Sequence, residues 1–477
     1  MHTALGVGVG IGLAAAVVIG KLVRRFNSKA AQQHHNLTQA QSTCVGLSAM
    51  ALPKSQVVAD RTNFFSSALV LSHARVEPLM IMRGCKEFVY DEEGTEYLDS
   101  RNNVPILGHA DHRVVHAVTH QMSLVNTNSR YLHPNATQLC NELSAVLPKH
   151  LRKFFIVSSG SEAIDLALRL ARCHTGHKHV IALTQAYHGN TTAVMEVSEN
   201  KFREPYLVKQ DWVTIVDNPD CVNGKHATAA GYTSELEAVL QGLKGKFAAF
   251  IMESIVSVGG GVIPPKGYMS AAFRMVREAG GVCIADETQI GLGRTGNWWA
   301  FQADGHPDAS PDILVIGKQL GNGFPVSLVV ATEEIVRSLE RTRIDFFSTF
   351  GGSSVSCAAA LATVVAIKDD NLVEQARCMG DFMIKLLSLQ LARFMPSLVK
   401  DIRGRGMYIA IQYSSGAIAQ HVYDTMYTKY KILATLDGPL DDVMIFKPPL
   451  CWSEASGRRY VAAISDILAR RSAEQAQ

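Results

Sequence analysis

The apolar run DILVIGKQLGNGFP, residues 312–325, ends on Lys318 and breaks at once into a glycine turn. A lysine there is either a solvated strand end or an amine held for chemistry, and its company decides between the two. KFAAFIME (246–253) stops at Glu253, and GVCIADE (281–287) stops at Asp286 and Glu287. In open α/β sheets ligands sit outside the carboxyl ends of the strands. If these three strands are neighbours, one amine that can attack a carbonyl faces carboxylates that can hold protons.

Further parts lie along the chain. KFFIVSS (153–159) reads as a strand, Gly160 and Ser161 as a turn, and EAIDLALRLARC (162–173) as a helix with an inward stripe of Ile164, Ala167, Leu168 and Ala171. A small-residue turn opening a helix presents free N–H groups and the positive end of the helix dipole, a seat for phosphate. After HVIALTQA comes Tyr187, beside His188 and Gly189, an aromatic able to lie on a planar ligand. Lysine, phosphate turn, aromatic and carboxylate are together what pyridoxal 5′-phosphate requires. The lysine takes the aldehyde as a Schiff base, and Asp286 keeps the pyridine nitrogen protonated so that the ring accepts electrons.

Two rival sites are weaker. GLGRTG (291–296) matches a dinucleotide fingerprint, but NWWAFQADGHPD follows it where such a fingerprint opens a helix. His112, His116 and His120 share one helical face, the spacing of a metal site, although a solvated face opposite Val114, Val115, Val118 and Met122 accounts for them equally.

These parts need a large core to position them. Apolar residues make up 47% of the 477 and charged residues 19%, below the roughly 25% usual in soluble domains, which implies extensive burial or a large subunit interface. The net charge of +3 is spread along the chain and argues for no nucleic-acid partner. Nine cysteines without a CxxC pair suit free thiols. ALGVGVGIGLAAAVVIG (4–20) is uncharged and is followed by Lys21, Arg24 and Arg25, which reads as an N-terminal membrane anchor with the body in the cytosol and a mitochondrial association. The expected order is anchor (1–25), linker (26–60), the first part of a small domain (61–112), a large cofactor domain (113–369) and the rest of the small domain (370–477). EFVYDEEGTEYLDS (87–100) is expected to be a β-hairpin.

The runs SSGSEAIDLALRLAR, AYHGNT, ADETQIGLGRTG, GKQLGNGFPV, STFGGS and IRGRGM, in this order, resemble the class III aminotransferases of the fold type I pyridoxal-phosphate enzymes over about residues 75–470. RNNVPILGH, NTNSRYLH and DGPLDDVMIFKPPLCWS look most like the phospho-lyase branch, which acts on ethanolamine phosphate or 5-phosphohydroxy-lysine. The resemblance implies an α/β fold with a mostly parallel seven-stranded sheet, a smaller α+β domain, and a homodimer with shared active sites. Carried over by matching motif, Lys318 is the Schiff-base lysine, Asp286 the partner of the pyridine nitrogen, and Gln289 the neighbour of the ring hydroxyl. Gly160 and Ser161 hold the cofactor phosphate, Tyr187 covers the ring, and His188 and Glu253 stand near it. Thr349 reaches the phosphate from the other subunit, and Arg403 and His133 bind substrate. The chain departs from the family pattern at Thr288, where Val or Ile is usual, and in GHADHR, which lacks a proline. Three readings stay open: a phospho-lyase, a transaminase acting with pyruvate or glyoxylate, and a membrane-tethered pseudoenzyme.

Overall fold

The computed structural model describes residues 52–202 and 206–475. The chain divides into two compact units, residues 1–74 and 75–477. In the described part of the first, Lys54–Phe64 is helical. The anchor expected over residues 4–20 lies outside the described residues. The membrane location is corrected here, because no helix among the described residues is long and apolar enough to cross a membrane. The expected cytosol-facing orientation rested on that stretch and loses its support with it.

The second unit begins with strands β1 (Ile81–Cys85), β2 (Phe88–Asp91) and β3 (Glu96–Asp99). The expected hairpin forms between β2 and β3, Phe88 opposite Leu98 and Tyr90 opposite Glu96. Its turn is held by Asp91, whose Oδ1 accepts from the Glu93 and Thr95 N–H groups.

The central sheet is built from β4 (Leu151–Val157), β5 (Val180–Leu183), β6 (Val213–Val216), β7 (Ala249–Glu253), β8 (Val282–Asp286), β9 (Ile313–Ile316) and β10 (Ser327–Thr332). They lie in the order β4-β10-β9-β8-β7-β5-β6. Only β10 runs against the rest. Every residue of β5, β7, β8 and β9 is buried. Parallel strands covered by helices on both faces read as unbroken apolar runs for this reason.

Around this sheet pack the helices that follow its strands. Gly160–Thr175 starts at the N-cap Ser159, whose side chain accepts from the Glu162 N–H, while Glu162 returns a bond to the Ser158 N–H. It ends at Gly176, left-handed at φ 71°. A second sheet joins β11 (Val399–Arg405), β12 (Tyr408–Tyr413), β14 (Leu436–Asp437) and β15 (Val443–Phe446) in the order β11-β12-β15-β14, all antiparallel. Between them in sequence, β13 (Ile432–Leu433) leaves this sheet and pairs parallel with β3, Ile432 beside Leu98. The N-terminal hairpin and the C-terminal segment are thereby one structure. The mostly parallel seven-stranded sheet and the additional sheets agree with the expected fold.

Candidate active site

β7, β8 and β9 are adjacent in the sheet, so the three chemistry-bearing strand ends meet. Glu253 and Asp286 stand side by side in register, 2% and 4% exposed. Lys318 follows β9 by two residues, with φ at 38°. A non-glycine residue in that region costs of order 1–2 kcal/mol and persists only where its surroundings hold it. Here Gln319 Nε2 donates to Gly291 O at 2.8 Å. Asn322 takes the Leu107 N–H at 2.8 Å and donates to Gly108 O at 3.1 Å. The lysine loop is pinned on both sides, and the two segments that pin it come from the family-like runs GLGRTG and VPILGH.

Lys318 keeps solvent-accessible surface, yet protein surrounds it densely. Loss of surrounding water lowers its amine to about 8, and the positive charge of Lys447 pushes the same way. Asp286 is held at both oxygens, Oδ2 by His188 Nδ1 at 2.9 Å and Oδ1 by the Thr288 N–H at 3.0 Å. His188 is fully buried, and its Nε2 has no partner among the described residues. Glu253 accepts from the Tyr187 and Ser257 N–H groups, both at 3.2 Å. Burial nevertheless raises its carboxyl to about 7. Glu287 is raised equally by burial and ties down the following loop, accepting from Ala300 N at 2.8 Å, Phe301 N at 3.0 Å and Ser254 Oγ at 2.7 Å.

The turn at Gly160 and Ser161 is drawn to the same place. A Cβ on Gly160 would stand 3.1 Å from Thr288 Cγ2, and one on Gly317 2.9 Å from the same methyl. Thr288 therefore fills the gap between the phosphate turn and the residue before Lys318. Ser161 Oγ accepts from the Asn190 N–H at 3.0 Å, which fastens the Tyr187–Asn190 loop to the helix start. Gly189, at φ 142°, leaves no room there for a side chain, since a Cβ would lie 2.5 Å from Ser161 Oγ. The N–H groups of Gly160 and Ser161 have no acceptor among the described residues. Free donors at the start of a 16-residue helix, an accessible amine and a buried carboxylate beside a histidine fit pyridoxal 5′-phosphate.

Other expected residues lie farther out or are otherwise engaged. Gln289 accepts from Asn103 Nδ2 at 2.9 Å. Tyr187 is half-buried with Lys201 Nζ 5.0 Å from its ring centre. His133 caps the helix Pro134–Ser144, its Nδ1 accepting from the Asn135 N–H at 3.2 Å. Thr349 is exposed. Arg403 is engaged within the protein. Its donors go to Gly260 O, Gly261 O at 3.1 Å, Asp401 at 2.7 Å and Gln412 at 3.2 Å. The rival fingerprint 291–296 opens no helix; its Arg294 is fully buried and donates to Met407 O and Pro448 O.

Two residues that sequence reasoning passed over also belong to this region. Lys447 is 9% exposed, and its Nζ lies 3.7 Å from Asp437 Oδ2. Burial raises the Asp437 carboxyl, and the charges of Lys447 and Lys318 both act on it. The signal was present: DVMIFKPP is an apolar run ending on a lysine, the pattern that singled out Lys318.

The chain is similar to several known proteins. The family model "Aminotransferase class-III" matches residues 71–468. An "Alanine–glyoxylate aminotransferase 2-like" protein of Drosophila melanogaster is 37% identical, over 87% of this chain and 87% of its own length. "Ethanolamine-phosphate phospho-lyase homolog 1" of Caenorhabditis elegans is 35% identical over 82% and 89%. Among solved structures, a phospholyase from Arthrobacter in complex with phosphoethanolamine superposes with a TM-score of 0.80 at 29% identity, covering 87% of this chain and 99% of that one.

Proposed function

The chain belongs to the class III aminotransferases, enzymes that use pyridoxal 5′-phosphate, and from this premise we propose that it is a phospho-lyase. It would take a phosphorylated amine, ethanolamine phosphate or 5-phosphohydroxy-lysine, and with water yield phosphate, ammonia and an aldehyde. The observation that supports this most is the likeness to the Arthrobacter phospholyase over 87% of the chain.

The cofactor, when bound, supplies an electron sink for the pair left as a bond to the amine-bearing carbon breaks. In this reading the free N–H groups of Gly160 and Ser161 seat its phosphate, Lys318 holds its aldehyde carbon, and Asp286 keeps its ring nitrogen protonated. His188 fixes Asp286 through the 2.9 Å bond, so the carboxylate cannot turn away. Tyr187 would cover the ring and Gln289 would be the neighbour of its hydroxyl, while Glu253 braces the Tyr187 backbone. Lys318 would also be the group that carries the proton, and an amine lowered to about 8 suits both taking and giving it.

Members of this family are typically dimeric and bind small amines. Thr349 is then read as the second subunit's contribution. Around it Ile344, Phe350, Tyr131 and Leu132 are more than 60% exposed, and the guanidinium of Arg130 sits 3.9 Å from the Phe347 ring centre, joining the two stretches into one surface. His133 borders that surface. Arg403 steadies the Gly260–Gly261 loop and supports substrate binding through it.

A transaminase is the second reading, favoured by the 37% identity to the alanine–glyoxylate aminotransferase 2-like protein. The deciding experiment gives the holoenzyme ethanolamine phosphate, then 5-phosphohydroxy-lysine, with no keto acid and follows inorganic phosphate over many turnovers. Sustained release is expected. Amino transfer to pyruvate or glyoxylate with no phosphate release would replace the lyase by the transaminase.

A further inference from the structure

Lys447 is 9% exposed, and its ammonium has one charged neighbour among the described residues, Asp437, at the long distance of 3.7 Å. A largely buried charge is best held when it is both paired and closely hydrogen-bonded; a 3.7 Å ion pair holds this one loosely and leaves its donors open to a ligand. Its place in the fold ties it to the active site. The Lys447 N–H donates to Ser100 O at 2.9 Å, setting the residue beside the N-terminal segment. Asp437 precedes Gly438, whose N–H donates to Val258 O at 3.0 Å, in the loop that leaves Glu253 at the end of β7. The charge of Lys447 reaches Lys318 itself.

We propose that Lys447 seats the phosphate group of a phosphomonoester amine substrate, a site distinct from the cofactor's phosphate turn at Gly160 and Ser161. This deepens the phospho-lyase reading and rests on it for the identity of the anion. A phosphate dianion offers closer acceptors than Asp437 does, and an ammonium with three rotatable donors binds phosphate as a point charge. Arg403, the guanidinium expected to bind an acidic substrate group, already donates to Gly260, Gly261, Asp401 and Gln412. With the phosphate held at Lys447, the C–O bond to be broken is fixed relative to Lys318. The electron pair of that bond leaves with the phosphate, whose charge the ammonium then balances.

The test uses the full-chain holoenzyme, in which the cofactor's own phosphate already fills the Gly160 turn. Dissociation constants are measured for 2-aminoethylphosphonate, which keeps the anion but cannot eliminate phosphate, and for ethanolamine and β-alanine. Lys447→Met should weaken the phosphonate by roughly tenfold to a hundredfold, the size of a lost charge-assisted hydrogen bond, and leave ethanolamine nearly unchanged. Lys447→Arg should restore most of the affinity. Equal losses for phosphonate and ethanolamine, or no loss for the phosphonate, would overturn the seat; a larger loss for β-alanine would make it a carboxylate site instead. Should Lys447→Met fold poorly, Lys447→Gln and competition between inorganic phosphate and the phosphonate on the unmodified enzyme answer the same question, with absence of competition counting against the seat. If the phosphonate binds through Lys447 but no phosphate is released from either substrate, the phospho-lyase reading fails and the seat stands. If phosphate is released and Lys447→Met binds the phosphonate normally, the reverse holds.

Discussion

At pH 7.5 an ordinary lysine is almost wholly protonated and has no lone pair with which to attack a carbonyl. Lowered to about 8, roughly one Lys318 in four is neutral there, against about one in a thousand for an unperturbed side chain. The rate at which apoenzyme takes up the cofactor should therefore rise with pH and level off near 8, measured by stopped-flow absorbance. Levelling only near 10.5 would mean an ordinary lysine. Lys318→Ala should lose both the covalent cofactor's visible absorbance band and turnover; an unchanged spectrum would remove the lysine from its role. Asp286→Asn should lower turnover by roughly a hundredfold or more while leaving the band in place. The buried carboxyls act oppositely on stability. Glu253 and Glu287 are raised from 4.5 to about 7, so between those values the folded state binds more protons than the unfolded one. Their contribution is full below about pH 4.5 and is lost as pH rises through 7. Glu253→Gln should flatten the fall in melting temperature of the apoenzyme between pH 5 and 7.

Single contacts between elements hold these residues together. Thr288 is the shim between the helix start at Gly160 and the hinge at Gly317. A Cβ at Gly317 would meet Thr288 Cγ2 at 2.9 Å and Ser327 Oγ at 3.0 Å, all three in closely packed surroundings. Gly317→Ala should cost about 1–3 kcal/mol of stability, the usual penalty of overpacking, read from denaturant unfolding. Thr288→Ala in the same chain should recover part of it, because the two positions share one contact and their effects do not add. Full additivity would place the strain elsewhere. The elements also explain GLGRTG: its glycines let turns pass close to other backbone, Gly296 against Arg377 and Gly293 against Val373. A dinucleotide fingerprint and a packing turn look alike as strings; only the absence of a following helix separates them.

For the whole molecule, the reading of Thr349 as the partner's contribution has a direct consequence. Lys318→Ala and Thr349→Ala chains, each impaired alone, should form mixed dimers in which one site of two is intact. With random pairing, activity should recover to about a quarter of the unmodified level; no recovery would place Thr349 and Lys318 in the same subunit's site or neither. Sequence by itself determined the strand ends at Glu253, Asp286 and Lys318, the turn and helix start at Gly160 and Ser161, and the β2–β3 hairpin. Each rests on short-range pattern: apolar runs, small-residue turns and helix periodicity are local consequences of burial and backbone geometry. Tertiary structure alone decided which strand ends touch, since sheet order depends on crossovers that no local pattern records. It also decided what each long side chain meets. Arg403 looked like an anion grip and is held by two carbonyls and a carboxylate, while Lys447, at a strand end of the same kind as Lys318, has only a 3.7 Å ion pair with Asp437. A charged residue's type fixes what it can bind, but only packing across distant segments fixes whether that capacity is already used.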